Sequence, residues 1–137
     1  MKLALLLLKL PRWIMTGVCL ALIFYLTLVP KPLPDNDIRF WEHTDKIVHG
    51  IMFGGLYLCA AVDIWRLRCH PSASGSLGLA LGVVLLGGAI ELFQQGMNLG
   101  RGGSAGDWIA DICGTLIIAI LMLRYPKNLP IINNEHT

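Results

Sequence analysis

Four long apolar stretches, separated by short polar segments, dominate the chain. They cover residues 13–29, 47–65, 77–97 and 107–123. A helix needs about 20 predominantly apolar residues to cross the hydrocarbon core of a bilayer, with some tolerance on either side. Transmembrane β-strands would be about half as long and would alternate in polarity, which these stretches do not. The pattern therefore predicts an all-α integral membrane bundle of four transmembrane helices.

The composition and the N-terminal segment agree with a membrane location. The 137 residues are 55% hydrophobic and 15% charged, which is too apolar for a water-soluble domain of this size. We expect residues 1–137 to form a single domain. Residues 1–12 resemble a signal peptide at first, but Lys9, Pro11 and Arg12 interrupt the apolar run and no small-residue cleavage site follows. This segment is predicted to be a short interfacial helix that leads into an uncleaved anchor.

The distribution of Lys and Arg indicates how the bundle is oriented. With the N-terminus in the cytoplasm, seven of the 11 basic residues fall in cytoplasmic segments and four in outer segments. The positive-inside rule then predicts a multi-pass protein of the bacterial inner membrane with both termini in the cytoplasm. The net charge of +2 forms no basic stripe, so no nucleic-acid partner is expected. Membrane lipids are the expected partners, and the oligomeric state stays open.

Polar residues that are costly in hydrocarbon gather at one end of this predicted bundle. The second helix would begin at the outer surface, the third would end there and the fourth would begin there. This topology places eight residues in or just above the outer leaflet: Asp45, Lys46, His49, Glu91, Gln94, Arg101, Asp107 and Asp111. Residues scattered along the sequence thus become one predicted polar cluster.

Helical spacing puts the polar residues of each helix on one face. Asp45 and His49 are four residues apart, as are Asp107 and Asp111. Glu91 lies six residues inside its predicted helix end, about 9 Å at the usual helical rise, so its carboxylate should point into the bundle. Three polar faces imply one shared interior.

Glycines favour close packing around that interior. Gly50 and Gly54 have the spacing of the small-xxx-small pattern, as do Gly78 and Gly82. Gly114 follows on the polar face of the fourth helix. The pattern predicts tight helix contacts and carries no chemistry by itself.

Four segments, taken in order, resemble the successive motifs of a known family. They are DKIVH at residues 45–49, ELFQ at 91–94, GR at 100–101 within a Gly/Ser loop, and DWIADICG at 107–114. This ordered set is similar to the VanZ-like family of small bacterial membrane proteins, over about residues 45–123. The chain departs from the family pattern at Asp111, where Asn is usual, and at Leu99, where Pro is frequent.

The resemblance implies a role in the cell envelope. The family is named for a protein associated with reduced susceptibility to the glycopeptide antibiotic teicoplanin. No established reaction comes with that name. Whether the chain is an enzyme therefore has to be judged from the chemistry of the polar cluster.

The first hypothesis is an enzyme or lipid-handling protein that acts on an envelope lipid or a lipid-linked cell-wall precursor. Glu91 or His49 would serve as general acid or base, and Asp107 would orient His49 or Arg101. Arg101 and Lys46 would hold a phosphate. The other ligand-binding candidates are Asp45, Gln94 and Asp111. No clear nucleophile accompanies them, so phosphate binding is favoured over covalent catalysis.

The second hypothesis is a non-catalytic structural or accessory membrane protein, in which the polar cluster only holds the helices together. Asp45 and Asp107 would then act as N-terminal helix residues that accept backbone hydrogen bonds. Metal binding through His49 and the neighbouring acids is a weaker hypothesis, because the sequence offers one imidazole there and no recognised ligand spacing. We therefore predict no metal and no cofactor.

Overall fold

The fold is described from a computed structural model, which covers residues 11, 13–28, 44–66, 72–97 and 104–124. In this part of the chain the regular secondary structure is helical throughout, and the elements are α1 (Ile14–Leu28), α2 (Thr44–Trp65), α3 (Ala73–Met97) and α4 (Ala105–Arg124). The prediction of an all-α fold is confirmed for these ranges. The interfacial helix predicted over residues 1–12 falls almost wholly outside the described residues, and so does Arg101.

Three of the four helices are long and apolar enough to cross a membrane. These are α2, α3 and α4, with 22, 25 and 20 residues. Helix α1 is equally apolar but has 15 residues, which is short of a full crossing. The three long helices suggest a membrane protein, while the crossing predicted for α1 stays a prediction.

Helices α2, α3 and α4 begin earlier than the apolar stretches that predicted them. Helix α3 begins at Ala73 and α4 at Ala105, four and two residues before their predicted starts. Serines precede both: the Ser72 hydroxyl accepts a hydrogen bond from Gly75 N at 3.0 Å, and the Ser104 hydroxyl accepts one from Gly106 N at 3.2 Å. These side chains satisfy amides of the first helical turn. Hydropathy finds the apolar part of a helix, whereas the cap decides where it starts.

Helices α2 and α4 pack most extensively, and glycines allow their close approach. A Cβ on Gly54 would lie 3.0 Å from the Gly114 carbonyl oxygen, and a Cβ on Gly114 would overlap the Gly50 backbone. The tight contacts predicted for these three glycines are confirmed. A Cβ added to Gly78 or Gly82 would meet no described atom within 4 Å, so the same pattern on α3 makes no such contact here.

The core lies between α2 and its neighbours, while the outward faces remain apolar. Large side chains fill the interior, among them Ile23, Phe53, Leu56, Tyr57 and Ile90. Apolar side chains also cover the outside of the helices, among them Val18, Ile51, Leu85, Leu92 and Ile117. An apolar surface this extensive is typical of contact with lipid or with another protein rather than with water.

Candidate functional site

The structure brings the predicted polar residues of three helices to one end of the bundle. This end is formed by the N-terminal parts of α2 and α4 and the C-terminal part of α3, which is the arrangement that the predicted topology required. His49 is the residue on which the contacts converge. We call His49, Glu91 and Asp111 the His49 cluster.

The His49 imidazole is buried between two carboxylates. Its Nδ1 lies 3.1 Å from Asp111 Oδ1, close enough for a hydrogen bond, and 3.9 Å from Glu91 Oε1. The other side of its environment is aromatic, since the ring stacks on Phe53 with a centroid distance of 6.4 Å. The ring is therefore held in one orientation by a carboxylate and a packed neighbour.

Within the part of the chain that the structure describes, one carboxylate oxygen of Glu91 is hydrogen-bonded and the other is not. Its Oε2 accepts a hydrogen bond from the Ser104 amide at 2.6 Å, which ties α3 to the start of α4. Its Oε1 is buried and has no hydrogen-bond partner among the described residues. A buried oxygen in this state is costly, because it has lost water and gained nothing equivalent.

Asp111 likewise has one hydrogen-bonded carboxylate oxygen and one without a described partner. Its Oδ1 contacts His49, while within the described ranges its Oδ2 has no hydrogen-bond partner, although the residue is only 1% exposed. Gly87 makes room for this carboxylate, since a Cβ there would lie 2.7 Å from Asp111 Oδ2. One helical turn along, the buried Thr115 hydroxyl also has no described partner. Among the described residues, the interior of this site thus holds more polar atoms than the hydrogen bonds satisfy.

Asp107 and Lys46 form a second, more exposed part of the site. Lys46 Nζ lies 3.9 Å from Asp107 Oδ1, and the lysine side chain is 46% exposed. The lysine stem lies over Gly106, where a Cβ would come 2.8 Å from Lys46 Cε. The sequence predicts that Asp107 orients His49 or Arg101, but the carboxylate in hydrogen-bond contact with His49 is Asp111. Asp107 follows the Ser104 cap and pairs with Lys46.

The remaining predicted site residues, Asp45 and Gln94, differ in their contacts. Asp45 is exposed in the first turn of α2, and its carboxylate, a His49 ring nitrogen and the Asp107 carboxylate lie within 4.8 Å of one another. Gln94 instead donates a hydrogen bond to the Thr27 carbonyl oxygen at 2.6 Å and so links α3 to α1. Asp45 belongs to the polar site, whereas Gln94 has a structural contact.

An apolar groove beside the site was not predicted from the sequence. It has a volume of about 550 Å³ and runs between α2 and α4, and its lining includes Lys46, Gly50, Gly54, Gly55, Leu58 and Ile117. Lys46 and Leu58 are separated by about 18 Å along α2 at the usual helical rise. The sequence feature that corresponds to this groove is the group of glycines on α2, Gly50, Gly54 and Gly55. From sequence alone, such glycines indicate a helix–helix contact and not a groove.

Comparison with protein-family models, with curated proteins and with solved structures finds no match for this chain. The geometry of the polar end and of the groove therefore has to support any functional assignment.

Proposed function

We propose that this protein is a VanZ-like, multi-pass protein of the bacterial inner membrane that binds a phosphate-bearing lipid in the outer leaflet. Four helices cross the bilayer in this proposal, and both termini lie in the cytoplasm. The ligand is an envelope lipid or a lipid-linked cell-wall precursor. Its binding reduces susceptibility to glycopeptide antibiotics such as teicoplanin.

The membrane part of the proposal is supported by the outward surfaces of the helices. Each of the four helices carries large exposed apolar side chains, among them Val18, Ile51, Leu85 and Ile117. Seven of 11 basic residues fall on the proposed cytoplasmic side. The polar site would then lie at the outer end of the bundle, within reach of lipid headgroups.

The position of Lys46 at one end of the apolar groove is the observation that carries the ligand assignment. The groove has the size of a small-molecule site and an apolar lining that suits a hydrocarbon chain. Lys46 is the charged residue of that lining. An ammonium group at the end of an apolar groove matches a ligand with one phosphate and one long chain, which is the composition of a membrane lipid.

The polar site favours binding over covalent catalysis. The Ser104 hydroxyl, the nearest candidate nucleophile, accepts the hydrogen bond that caps α4. His49 and Glu91 lie 3.9 Å apart and are the groups of the polar site suited to move a proton, although neither lines the groove. In this proposal they are the acid and base candidates, with Asp111 as the residue that orients the imidazole.

Filling the groove tests the lipid assignment directly. Gly55 lines the groove and has no described atom within 4 Å of an added Cβ, so Gly55→Leu should occupy the groove without disturbing the helices. Gly82→Leu on α3 is the matched control, because that position is equally open and lies outside the groove. The full chain is purified into nanodiscs, and its retained lipids are measured by native mass spectrometry.

Wild type and Gly82→Leu should retain a phosphate-bearing lipid that Gly55→Leu and Lys46→Gln lose. In a sensitive host, teicoplanin protection should follow the same order at equal protein abundance. Equal lipid retention by all four proteins would contradict the groove assignment. Absence of protection by wild type would remove the antibiotic part of the proposal and leave the lipid part standing.

A structural role for the polar end is the second candidate, and a specific observation favours it. The His49 contact to Asp111 joins α2 to α4, and the Glu91 contact to Ser104 joins α3 to α4. Interhelical hydrogen bonds of this kind hold helices together in lipid. Under this alternative, Glu91→Gln lowers membrane abundance and protection in parallel. Under the proposed function, abundance is kept and protection is lost.

A further inference from the structure

We infer that His49, Glu91 and Asp111 form a binding site for one divalent metal ion of the zinc class. The sequence alone predicts no metal here, because the three ligands are scattered over three helices without a recognised spacing. The distances between the three side chains and their charges support the ion site without the proposed function. The ion site rests on the proposed function only for the ion's role in lipid binding, and with the ion bound His49 and Glu91 serve as its ligands instead of as acid and base.

The donor atoms are spaced as ligands of a single ion would be. One donor from each residue can be chosen so that all three lie within 4.8 Å of one another. His49 Nδ1 is 3.1 Å from Asp111 Oδ1 and 3.9 Å from Glu91 Oε1. Tetrahedral zinc with bonds of about 2.0–2.2 Å separates its ligands by roughly 3.3–3.6 Å. Both measured distances lie within about 0.5 Å of that range.

The Glu91 oxygen that has no described hydrogen-bond donor is an independent sign of a ligand. Glu91 is 7% exposed, and its Oε1, the oxygen that faces His49, lacks a hydrogen-bond donor in the part of the chain that the structure describes. A protein interior normally satisfies such an atom. The second oxygen of this carboxylate is already held by the Ser104 amide, which fixes its direction. A cation beside His49 would satisfy the free oxygen without moving the helix.

Charge balance points to a divalent ion. Two ionised carboxylates beside a neutral imidazole carry two negative charges in a buried site, which is costly without compensation. A protonated imidazole would cancel one of these charges, whereas a divalent cation cancels both. One nitrogen and two carboxylate oxygens form a mixed donor set that suits zinc and its neighbours better than magnesium or calcium.

Two features of the surroundings fit a metal-bound histidine and an open coordination position. Asp45 and Asp107 place further carboxylates within 4.8 Å of a His49 ring nitrogen, and metal-ligating histidines commonly donate their other N–H to a carboxylate. Three protein ligands leave one position of a tetrahedral ion open, as in zinc sites that bind exchangeable ligands. Under the proposed function, a phosphate oxygen would take that position.

Metal content of the purified full chain tests the inference. The protein is prepared with a tag that lacks histidine, dialysed against micromolar Zn²⁺ in nanodiscs, and measured by elemental mass spectrometry beside empty nanodiscs. We expect about one zinc per chain. Glu91→Gln and Asp111→Asn should weaken binding by more than the roughly 10–100-fold that loss of an outer-shell partner costs. Asp107→Asn is the matched control, since it removes a carboxylate of the same site that is not a proposed ligand.

A wild-type chain without zinc, or ligand variants that bind zinc as wild type does, would overturn the inference. Loss of zinc in Asp107→Asn alone would also overturn it. A measurement on folded wild type guards against variants that fail to fold: zinc should raise its melting temperature, as binding to the native state requires. No shift would count against the site. Lipid retention without zinc would leave the proposed function intact, and zinc binding without lipid retention would leave only the ion site.

Discussion

Buried acidic residues lie near both ends of α2, and their hydrogen bonding differs between the two ends. Near the C-terminal end, Asp63 is fully buried and both of its oxygens are paired. Oδ2 accepts hydrogen bonds from the Thr16 hydroxyl at 2.7 Å and the Thr16 amide at 3.4 Å, while Oδ1 pairs with Arg66 at 3.2 Å. Near the other end, Glu91 and Asp111 surround His49 and each keeps one oxygen without a described partner.

This contrast separates a structural acid from candidate functional acids. The Thr16 amide belongs to the first turn of α1, so Asp63 satisfies a helix N-terminus and balances the charge of Arg66. Both carboxylate oxygens of Asp63 are therefore accounted for by contacts within the fold. In the described ranges, Glu91 and Asp111 beside His49 each have one carboxylate oxygen without a hydrogen-bond partner. Burial of a charge alone therefore does not indicate function, whereas burial with unmet hydrogen-bonding capacity does.

The largest loss of stability is expected from removing the contacts of Asp63 with Thr16 and Arg66. Asp63→Asn removes the negative charge that faces Arg66 and weakens the cap of α1, so it should lower the free energy of unfolding by about 3 kcal/mol. Unfolding in mixed detergent micelles gives this quantity. Thr16→Ala is the milder companion, with a loss of about 1 kcal/mol. If Asp63→Asn unfolded like wild type, the structural assignment of this end would be wrong.

A smaller loss is expected from separating the helices that carry the His49 cluster. An added carbon in Gly114→Ala would overlap the Gly50 backbone, which cannot rotate away as a side chain does. We expect a loss of about 2 kcal/mol from overpacking, measured in the same unfolding assay. The control is Gly82→Ala, where an open helical position should leave stability unchanged or raise it by about 1 kcal/mol. Equal losses at the two glycines would refute the close α2–α4 crossing.

The smallest change in stability is expected at the end of the bundle that holds the His49 cluster. Glu91→Gln keeps an oxygen for the Ser104 amide and removes a charge that lacks full compensation, so unfolding should shift by less than about 1 kcal/mol in either direction. The purified variant is compared with Asp63→Asn under identical conditions. A loss as large as that of Asp63→Asn would make the two ends alike and would favour the structural role of the His49 cluster.

Local sequence properties were sufficient for much of the fold. Long apolar runs predicted α2, α3 and α4, and the four-residue spacing of Asp107 and Asp111 placed both on one helix face. The helix ends were less accurate, because Ser72 and Ser104 cap the helices through hydrogen bonds that hydropathy does not detect. Most residues of the polar site could also be predicted from the sequence. Helical periodicity shows which face of each helix is polar, and the order of the helices brings these faces to one end.

Partner choice within the site was not predictable from spacing. Asp107 and Asp111 share a face, yet Asp111 contacts His49 and Asp107 pairs with Lys46. The depth at which α4 crosses α2 decides between them, and Gly87 opens the space for the inner carboxylate. Gln94 likewise lies on the polar face of α3 but contacts Thr27 on α1.

Sequence alone predicts helices over most of the described residues and shows which helix faces are polar, because these properties depend on residues three to four positions apart. It also predicts that acids and a histidine meet at one end, because consecutive helices that run in opposite directions bring their polar ends together. The pairing of the described carboxylate oxygens and the position of the groove beside Lys46 follow from tertiary packing. Those outcomes depend on differences of about 1 Å in how helices approach one another, and such distances are set by packing between residues far apart in the chain.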